Sequence, residues 1–290
     1  MSFFFDLHVH SMISPCSVLA IEDILSRGRS LGLDGVCITD HNTTQAGNYF
    51  MEGMQDDGLC IIIGQEYSTP EGHFLIFGPF DELPPFLPAW ELLAHVQKNG
   101  GVAIASHPFR TMQKVDEELA TAGLIQFAEG INGRNSGREN ALAQTWKEKY
   151  QVHLTGGSDA HSLEELGRVG TRFSQPVRSR EDLITALLSK NFEPSFNPCY
   201  GKFRHWLKSL RIHPILEPDH VISEAAENGV FRDQKQEGHQ VHTGSGLRAL
   251  SGMETDSFLP GISKSIHRRY SSLFLSKKRR NALLKVCPEQ

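Results

Sequence analysis

The first two-thirds of the chain predict an α/β fold of the closed (β/α)-barrel kind, and three observations carry that expectation. Short apolar runs of strand length alternate with amphipathic runs of helical period as far as residue 195. Gly- and Pro-rich turns punctuate them. Histidines and carboxylates gather where the apolar runs end, and eight of the 14 histidines fall within the first 165 residues. Strands alternating with helices imply a parallel sheet covered by helices. A barrel of such units places its chemistry at the C-terminal ends of its strands.

Residues 4–9 read as the first strand, and residues 21–31 as a helix with Ile21, Ile24, Leu25 and Leu31 on one side. Gly32 and Gly35 close that helix, and a buried strand follows at 36–39. Strands are expected at 59–63 and, after the Pro70-Glu71-Gly72 turn, at 74–77. A helix at 90–98 is stopped by Asn99-Gly100-Gly101, and the strand 102–105 begins at once. Later strands are expected at 124–128, 152–155 and 169–173, separated by helices at 138–150 and 163–166. A helix at 181–190 ends the pattern, which gives a barrel domain of residues 1–199 and an extension of residues 200–290.

A hydrophobic fraction of 39% with 9% aromatic residues suffices for a buried core. The five cysteines (Cys16, Cys37, Cys60, Cys199, Cys287) are odd in number and form no C-x-x-C pair. A reducing, cytoplasmic setting is therefore expected. The N-terminus lacks the basic region of a secretion signal, and its apolar run stops at Asp6. No run approaches the roughly 18 apolar residues of a membrane helix, so no membrane engagement is expected.

The net charge of -5 divides unevenly. Residues 1–199 hold 14 Lys/Arg against 25 Asp/Glu, and residues 200–290 hold 15 against 9. The extension is thus basic, and its polar, aperiodic stretch 217–257 predicts disorder. A short helix is expected around 263–286, carrying Arg268-Arg269 and Lys277-Lys278-Arg279-Arg280. These clusters suit an anionic partner, nucleic acid or lipid; a solvated tail with no part in activity is the favoured reading.

Imidazole and carboxylate at predicted strand ends form the donor set of Zn, Mn or Fe. His8 and His10 are two apart on a strand and so share a face. Asp40-His41 follows the strand 36–39, where a helix N-cap beside a surface histidine is the alternative. Glu66 ends an apolar strand, where an unpaired carboxylate is costly and a metal or an arginine would relieve it. His73 starts the next strand, His107 follows the strand 102–105, and Asp159 and His161 again lie two apart at a strand end.

The order Asp-Leu-His-Val-His-Ser, Gly-Leu-Asp-Gly-Val-Cys-Ile-Thr-Asp-His, Gly-x-Glu, Ser-His-Pro and Gly-Ser-Asp-Ala-His resembles the PHP (polymerase and histidinol phosphatase) family over residues 4–195. The resemblance implies a distorted, seven-stranded TIM-like barrel with two or three divalent ions (Zn, Mn or Fe) in its mouth. It also implies hydrolysis of phosphoesters of small substrates, nucleoside 3',5'-bisphosphates among them, by metal-activated hydroxide. Carried over by position, His8, His10, Glu66 and Asp159 form one metal site. Glu66 bridges to a second with His73 and His107, and His41 and His161 hold a third. Many members carry an Asp five residues after the second histidine as a ligand of the third metal, where this chain has Pro15. Three outcomes stay open: Cys16 substitutes, the third metal binds weakly, or two metals are used.

Arg110 is the candidate phosphate clamp, because guanidinium matches phosphate bidentately. Arg134 and Arg138 are second choices, and Asn132 and Asn135 are candidate contacts to a sugar or base. Asp159 is placed to shuttle a proton, and Asp40 or His161 to protonate the leaving oxygen. Two other readings compete: a C–N bond hydrolase of amidohydrolase type, and a non-catalytic or nucleic-acid-associated module. The acidic balance of residues 1–199 weighs against the latter.

Overall fold

The computed structural model describes residues 2–49, 51–80 and 83–200. The basic stretch 201–290, with its expected disorder and short helix, lies outside the described residues. Among the described residues the elements run β1 (Phe3–Val9), α1 (Ile21–Arg27), β2 (Gly35–Ile38), β3 (Gly53–Met54), β4 (Cys60–Ile63), β5 (Gln65–Thr69), β6 (Gly72–Phe77), α2 (Ala89–Lys98) and β7 (Val102–Ala105). They continue with α3 (Glu117–Thr121), β8 (Phe127–Asn132), α4 (Gly137–Tyr150), β9 (His153–Gly157), β10 (Val169–Phe173), α5 (Arg180–Leu188) and β11 (Phe192–Phe196). No helix among them is long and apolar enough to cross a membrane.

The α/β class holds, but the strands form two mixed sheets rather than one closed parallel barrel. One sheet has the order β11-β10-β1-β2-β4-β3 and the other β5-β6-β7-β8-β9. In the first, β1, β2 and β4 are parallel, β10 runs against β1, β11 is antiparallel to β10 and so runs with β1, and β3 runs against β4. In the second, β7, β8 and β9 are parallel and β5-β6-β7 antiparallel. Much of that departure is local chemistry. Thr69 pairs with Gly72 across Pro70-Glu71, and a two-residue connection permits only an antiparallel hairpin. Gly72 takes the positive φ of +136° that the turn demands, and Thr69 Oγ1 donates to the Gly72 carbonyl at 2.7 Å.

Two isolated parallel bridges join the sheets, Val9 to Ala160 and His41 to Glu66. Val9 and Ala160 are fully buried in one apolar cluster with Leu19, Ile38 and Ile63. Strand alternation then turns the residues on either side of each, His8 and His10, Asp159 and His161, to the opposite side. A register shift between Asp6 and Val9 sets this up. Phe5 and Leu7 join a second cluster, to which both sheets and α5 contribute, while Val9 joins the first. Leu7 and Val9 therefore do not share a side, as unbroken alternation would require.

Several bounds differ from expectation for identifiable reasons. The first helix ends at Arg27, and after Gly28 a 3₁₀ turn spans Arg29–Leu31. Residues 163–166 form turns instead of a helix. The strand expected at 124–128 begins at Phe127, because Leu124 N donates back to the Leu119 carbonyl to finish α3, with Gly123 at φ +73°. β3, β5, α3 and β11 have no counterpart among the expected elements.

Candidate metal centre

Glu66 is the hub of the site. It is 1% exposed. Its Oε1 lies 2.9 Å from His107 Nε2 and 3.4 Å from His73 Nδ1. Its Oε2 lies 3.0 Å from His41 Nδ1, 3.3 Å from His10 Nε2 and 3.6 Å from His8 Nε2. His8 Nε2 and His10 Nε2 approach to 2.9 Å. Asp159 Oδ1 closes the other side, 3.4 Å from His10 Nε2, 3.6 Å from His8 Nε2 and 3.5 Å from His161 Nδ1.

Three groups emerge whose ligand atoms lie within 4.8 Å of one another: His8, His10 and Glu66; Glu66, His73 and His107; and His10, His41 and His161. Glu66 belongs to the first two and His10 to the first and third. The donor set fits a divalent transition ion. An observation independent of donor type agrees: His73 Nδ1 is buried, has no hydrogen-bond partner among the described residues, and lies 3.4 Å from Glu66. A cation shared by the two would satisfy an atom that is otherwise costly to bury.

The electrostatics describe a site crowded with opposite charge. Burial pushes the Glu66 carboxyl up, but the His8 charge and hydrogen bonds from His10, His107 and His41 hold it well below the usual range. Burial likewise raises Asp159, and His8, His10 and Arg110 outweigh it, so that carboxyl also stays well below its ordinary value. Burial lowers His8, yet Asp159, Glu129 and Glu66 carry it well above the ordinary imidazole value, and His10 is raised by Asp159 and Glu66 against the same penalty. His161 goes the other way, lowered to about 4 by burial and the His10 charge.

The sheet ends are shaped to aim these groups. Asn42, His107 and Asp159 take positive φ values of 53°, 31° and 55°, a conformation that side chains other than Gly adopt at a cost. Buried carboxylates hold the turns in place. Asp6 accepts from Ser158 N at 2.9 Å and Gly167 N at 2.9 Å and also takes the Ser158 hydroxyl. Burial raises the Asp6 carboxyl to about 6. Glu129 Oε1 lies 2.9 Å from His8 Nδ1, and its Oε2 accepts from His107 N at 2.8 Å.

The structure thus brings His8, His10, His41, Glu66, His73, His107, Asp159 and His161 together. Arg110 stands beside them, its Nη2 donating to Asp159 Oδ2 at 2.7 Å and to Asn132 Oδ1 at 2.9 Å, its Nε to Asn135 Oδ1 at 3.1 Å. Arg134 is 3.6 Å from Glu165 with a side chain 41% exposed. Asn132, expected to contact a substrate, is buried, and its amide also donates to Glu129 Oε2 at 2.8 Å. Asp40 belongs to none of the three groups. Its Oδ1 accepts from Ser11 N and the Ser14 hydroxyl at 2.8 and 2.6 Å, and its Oδ2 from the Ser11 hydroxyl at 2.7 Å. Cys16 is exposed and outside the groups.

Glu129 and Asp6 were not anticipated as part of the site. The signal was present: each is a carboxylate inside an apolar strand, the circumstance that singled out Glu66.

Comparison with known proteins agrees with this geometry. A model described as "PHP domain" matches residues 6–159, and one described as "PHP-associated" matches residues 137–192. An uncharacterised protein of Methanocaldococcus jannaschii is 30% identical over 178 residues, covering 59% of this chain and 70% of its own. A protein of Caldicellulosiruptor saccharolyticus named "probable phosphatase" is 26% identical over 223 residues, covering 64% of this chain and 93% of its own. A two-domain protein from Bacteroides vulgatus, described as containing a predicted PHP-like metal-dependent phosphoesterase, shares the fold. It has a TM-score of 0.53 and 19% identity over 68% of this chain and 65% of its own. The chain with its histidine- and carboxylate-lined sheet ends belongs to the PHP domain family.

Proposed function

We propose that the chain hydrolyses phosphoesters of a small phosphorylated substrate, a nucleotide such as a nucleoside 3',5'-bisphosphate among them. Divalent ions would be held by His8, His10, Glu66 and Asp159, by Glu66, His73 and His107, and by His41 and His161. When bound, such ions supply an acidified water near neutral pH and neutralise charge on phosphoryl oxygens. The observation that carries the reading is Arg110. A guanidinium with a side chain 22% exposed is held by Asp159, Asn132 and Asn135 at the edge of the donor groups.

The chain's own residues divide the remaining work. Arg110 is pre-oriented by Asp159, Asn132, Asn135 and Gln113, so little rotamer freedom is lost when it takes a phosphate oxygen. Asp159 Oδ1 faces the histidines while its Oδ2 is tied to Arg110, so one carboxylate would link the ion-holding residues to the phosphate-binding guanidinium. The Asp159 carbonyl lies 2.9 Å from His161 Nδ1, so the proton sits on Nδ1 and Nε2 presents a lone pair. That favours a ligand role for His161 over that of an acid. Asp40 is occupied by Ser11 and Ser14, and Ser14 Oγ in turn accepts from His41 N at 3.1 Å. Its part is to fix the loop after β1 against His41.

The test is phosphate release by metal-reconstituted protein from aryl phosphates, nucleoside monophosphates and nucleoside 3',5'-bisphosphates, with amide substrates alongside. Phosphate release that needs added metal and is abolished by chelation is expected. Amide hydrolysis without phosphate release would replace this reading with the C–N hydrolase one.

A further inference from the structure

Glu129 stands on β8 with no exposure to solvent, and no Lys or Arg pairs with it among the described residues. A buried carboxylate without a cation is expensive unless its lone pairs are used. Here they are used by the site. Oε1 lies 2.9 Å from His8 Nδ1. Oε2 accepts from the backbone N of His107 at 2.8 Å and from Asn132 Nδ2 at 2.8 Å. The Asn132 Oδ1 then accepts from Arg110 Nη2 at 2.9 Å. One carboxylate therefore touches a histidine of the first donor group, the backbone of a histidine of the second, and the amide that orients Arg110.

Two further features show that the contact is built. His107 has φ +31°, and the hydrogen bond from its N–H to Glu129 helps to hold that turn. Gly157 lies against the pair: a Cβ there would stand 2.5 Å from His8 Cβ and 2.7 Å from Glu129 Oε1. Only a residue without a side chain lets β9 pass so close.

We propose that Glu129 is the positioning residue of the centre. It accepts the Nδ1 proton of His8, which leaves Nε2 as the free donor towards His10, Glu66 and Asp159, and it sets the His107 turn, so that the first and second donor groups are held in one register. A carboxylate behind a ligating histidine fixes both tautomer and ring orientation, and loss of such a partner typically weakens metal binding by about 10- to 100-fold. The inference rests on the metal-binding part of the proposed function and is independent of the substrate.

The experiment is direct titration of Zn and of Mn into full-length wild type and Glu129→Gln, with metal retained after dialysis measured by elemental analysis. The isosteric amide keeps size and burial while losing an acceptor. A roughly 10- to 100-fold weaker affinity, with metal-free proteins melting at similar temperatures, supports the proposal. Affinity within about twofold of wild type overturns it while leaving the proposed function intact. Wild type that takes up no metal overturns both. A variant that fails to fold is replaced by a readout needing no substitution, the ¹⁵N spectrum of the imidazoles in metal-loaded wild type. His8 protonated on Nδ1 supports the proposal, and His8 protonated on Nε2 overturns it.

Discussion

Glu66 Oε1 lies 2.9 Å from His107 Nε2 while Oε2 lies 3.0 Å from His41 Nδ1, so one buried carboxylate reaches histidines that follow strands of the two different sheets. Among the described residues, no other side chain belongs to both the His8-His10 group and the His73-His107 group. Glu66→Gln is expected to lower phosphate release at least about 10²-fold, the scale of losing one fixed charge at a reacting centre. Steady-state turnover at saturating metal checks it, and near wild-type turnover would remove Glu66 as the bridge.

Arg110 donates to Asp159 and Asn132 from one nitrogen. Loss of a charge-assisted hydrogen bond is worth about 1.5–3 kcal/mol, or roughly 10- to 150-fold in kcat/KM. Arg110→Ala should show that loss mainly as a raised KM, with metal content unchanged. Unaltered kinetics would exclude it from phosphate binding.

His8 and His10 are both raised above the ordinary histidine value in the metal-free protein. Ligation needs neutral imidazole, so metal binding at neutral pH must expel protons and affinity must rise with pH through that range. Calorimetric titration in buffers of different ionisation enthalpy measures the release. In the metal-free fold the raised values act as a stabilisation present below the ordinary histidine value and lost as pH rises through the raised one. Binding without proton release at pH 7 would contradict the charge assignment.

Cys16 stands next to Pro15, where many family members carry a ligand, but it is exposed and lies outside the three donor groups. Cys16→Ser should retain both metal content and turnover. Loss of one metal equivalent would show that the thiolate is a ligand after all.

Gly157→Ala places a Cβ 2.5 Å from His8 Cβ, whereas Gly137→Ala meets nothing within 4 Å. The first should destabilise by about 1–3 kcal/mol through overpacking. The second should be near neutral, since Ala suits the start of α4. Denaturant unfolding of the two variants side by side gives the comparison.

The candidate ligand residues are legible because nearly all sit at the end of an apolar strand, where a polar group needs a reason to be. His8 and His10 followed from alternation, and Glu66 from the cost of a buried carboxylate. The supporting shell was harder to see. Glu129 and Asp6 obey the same rule as Glu66, but their partners are a backbone N–H and a serine that no spacing in the chain reveals. Asp40 shows the converse: an acidic residue beside a site histidine, engaged by Ser11 and Ser14 from a different loop. The parallel-barrel expectation failed where a two-residue turn reverses β5 into β6, and at β5 itself, whose Gln65, Ser68 and Thr69 hid a strand that apolar periodicity does not mark. The shift at Asp6–Val9, which turns Leu7 and Val9 to different sides, has no sequence signature at all.

The most direct test of the account is the metal content of full-length protein, by elemental analysis after reconstitution with Zn, Mn or Fe and removal of excess. Donor groups that share the two oxygens of Glu66 predict two or three equivalents, falling by at least one in Glu66→Ala. Less than one equivalent in wild type under all three metals would contradict the reading of this site as a metal centre.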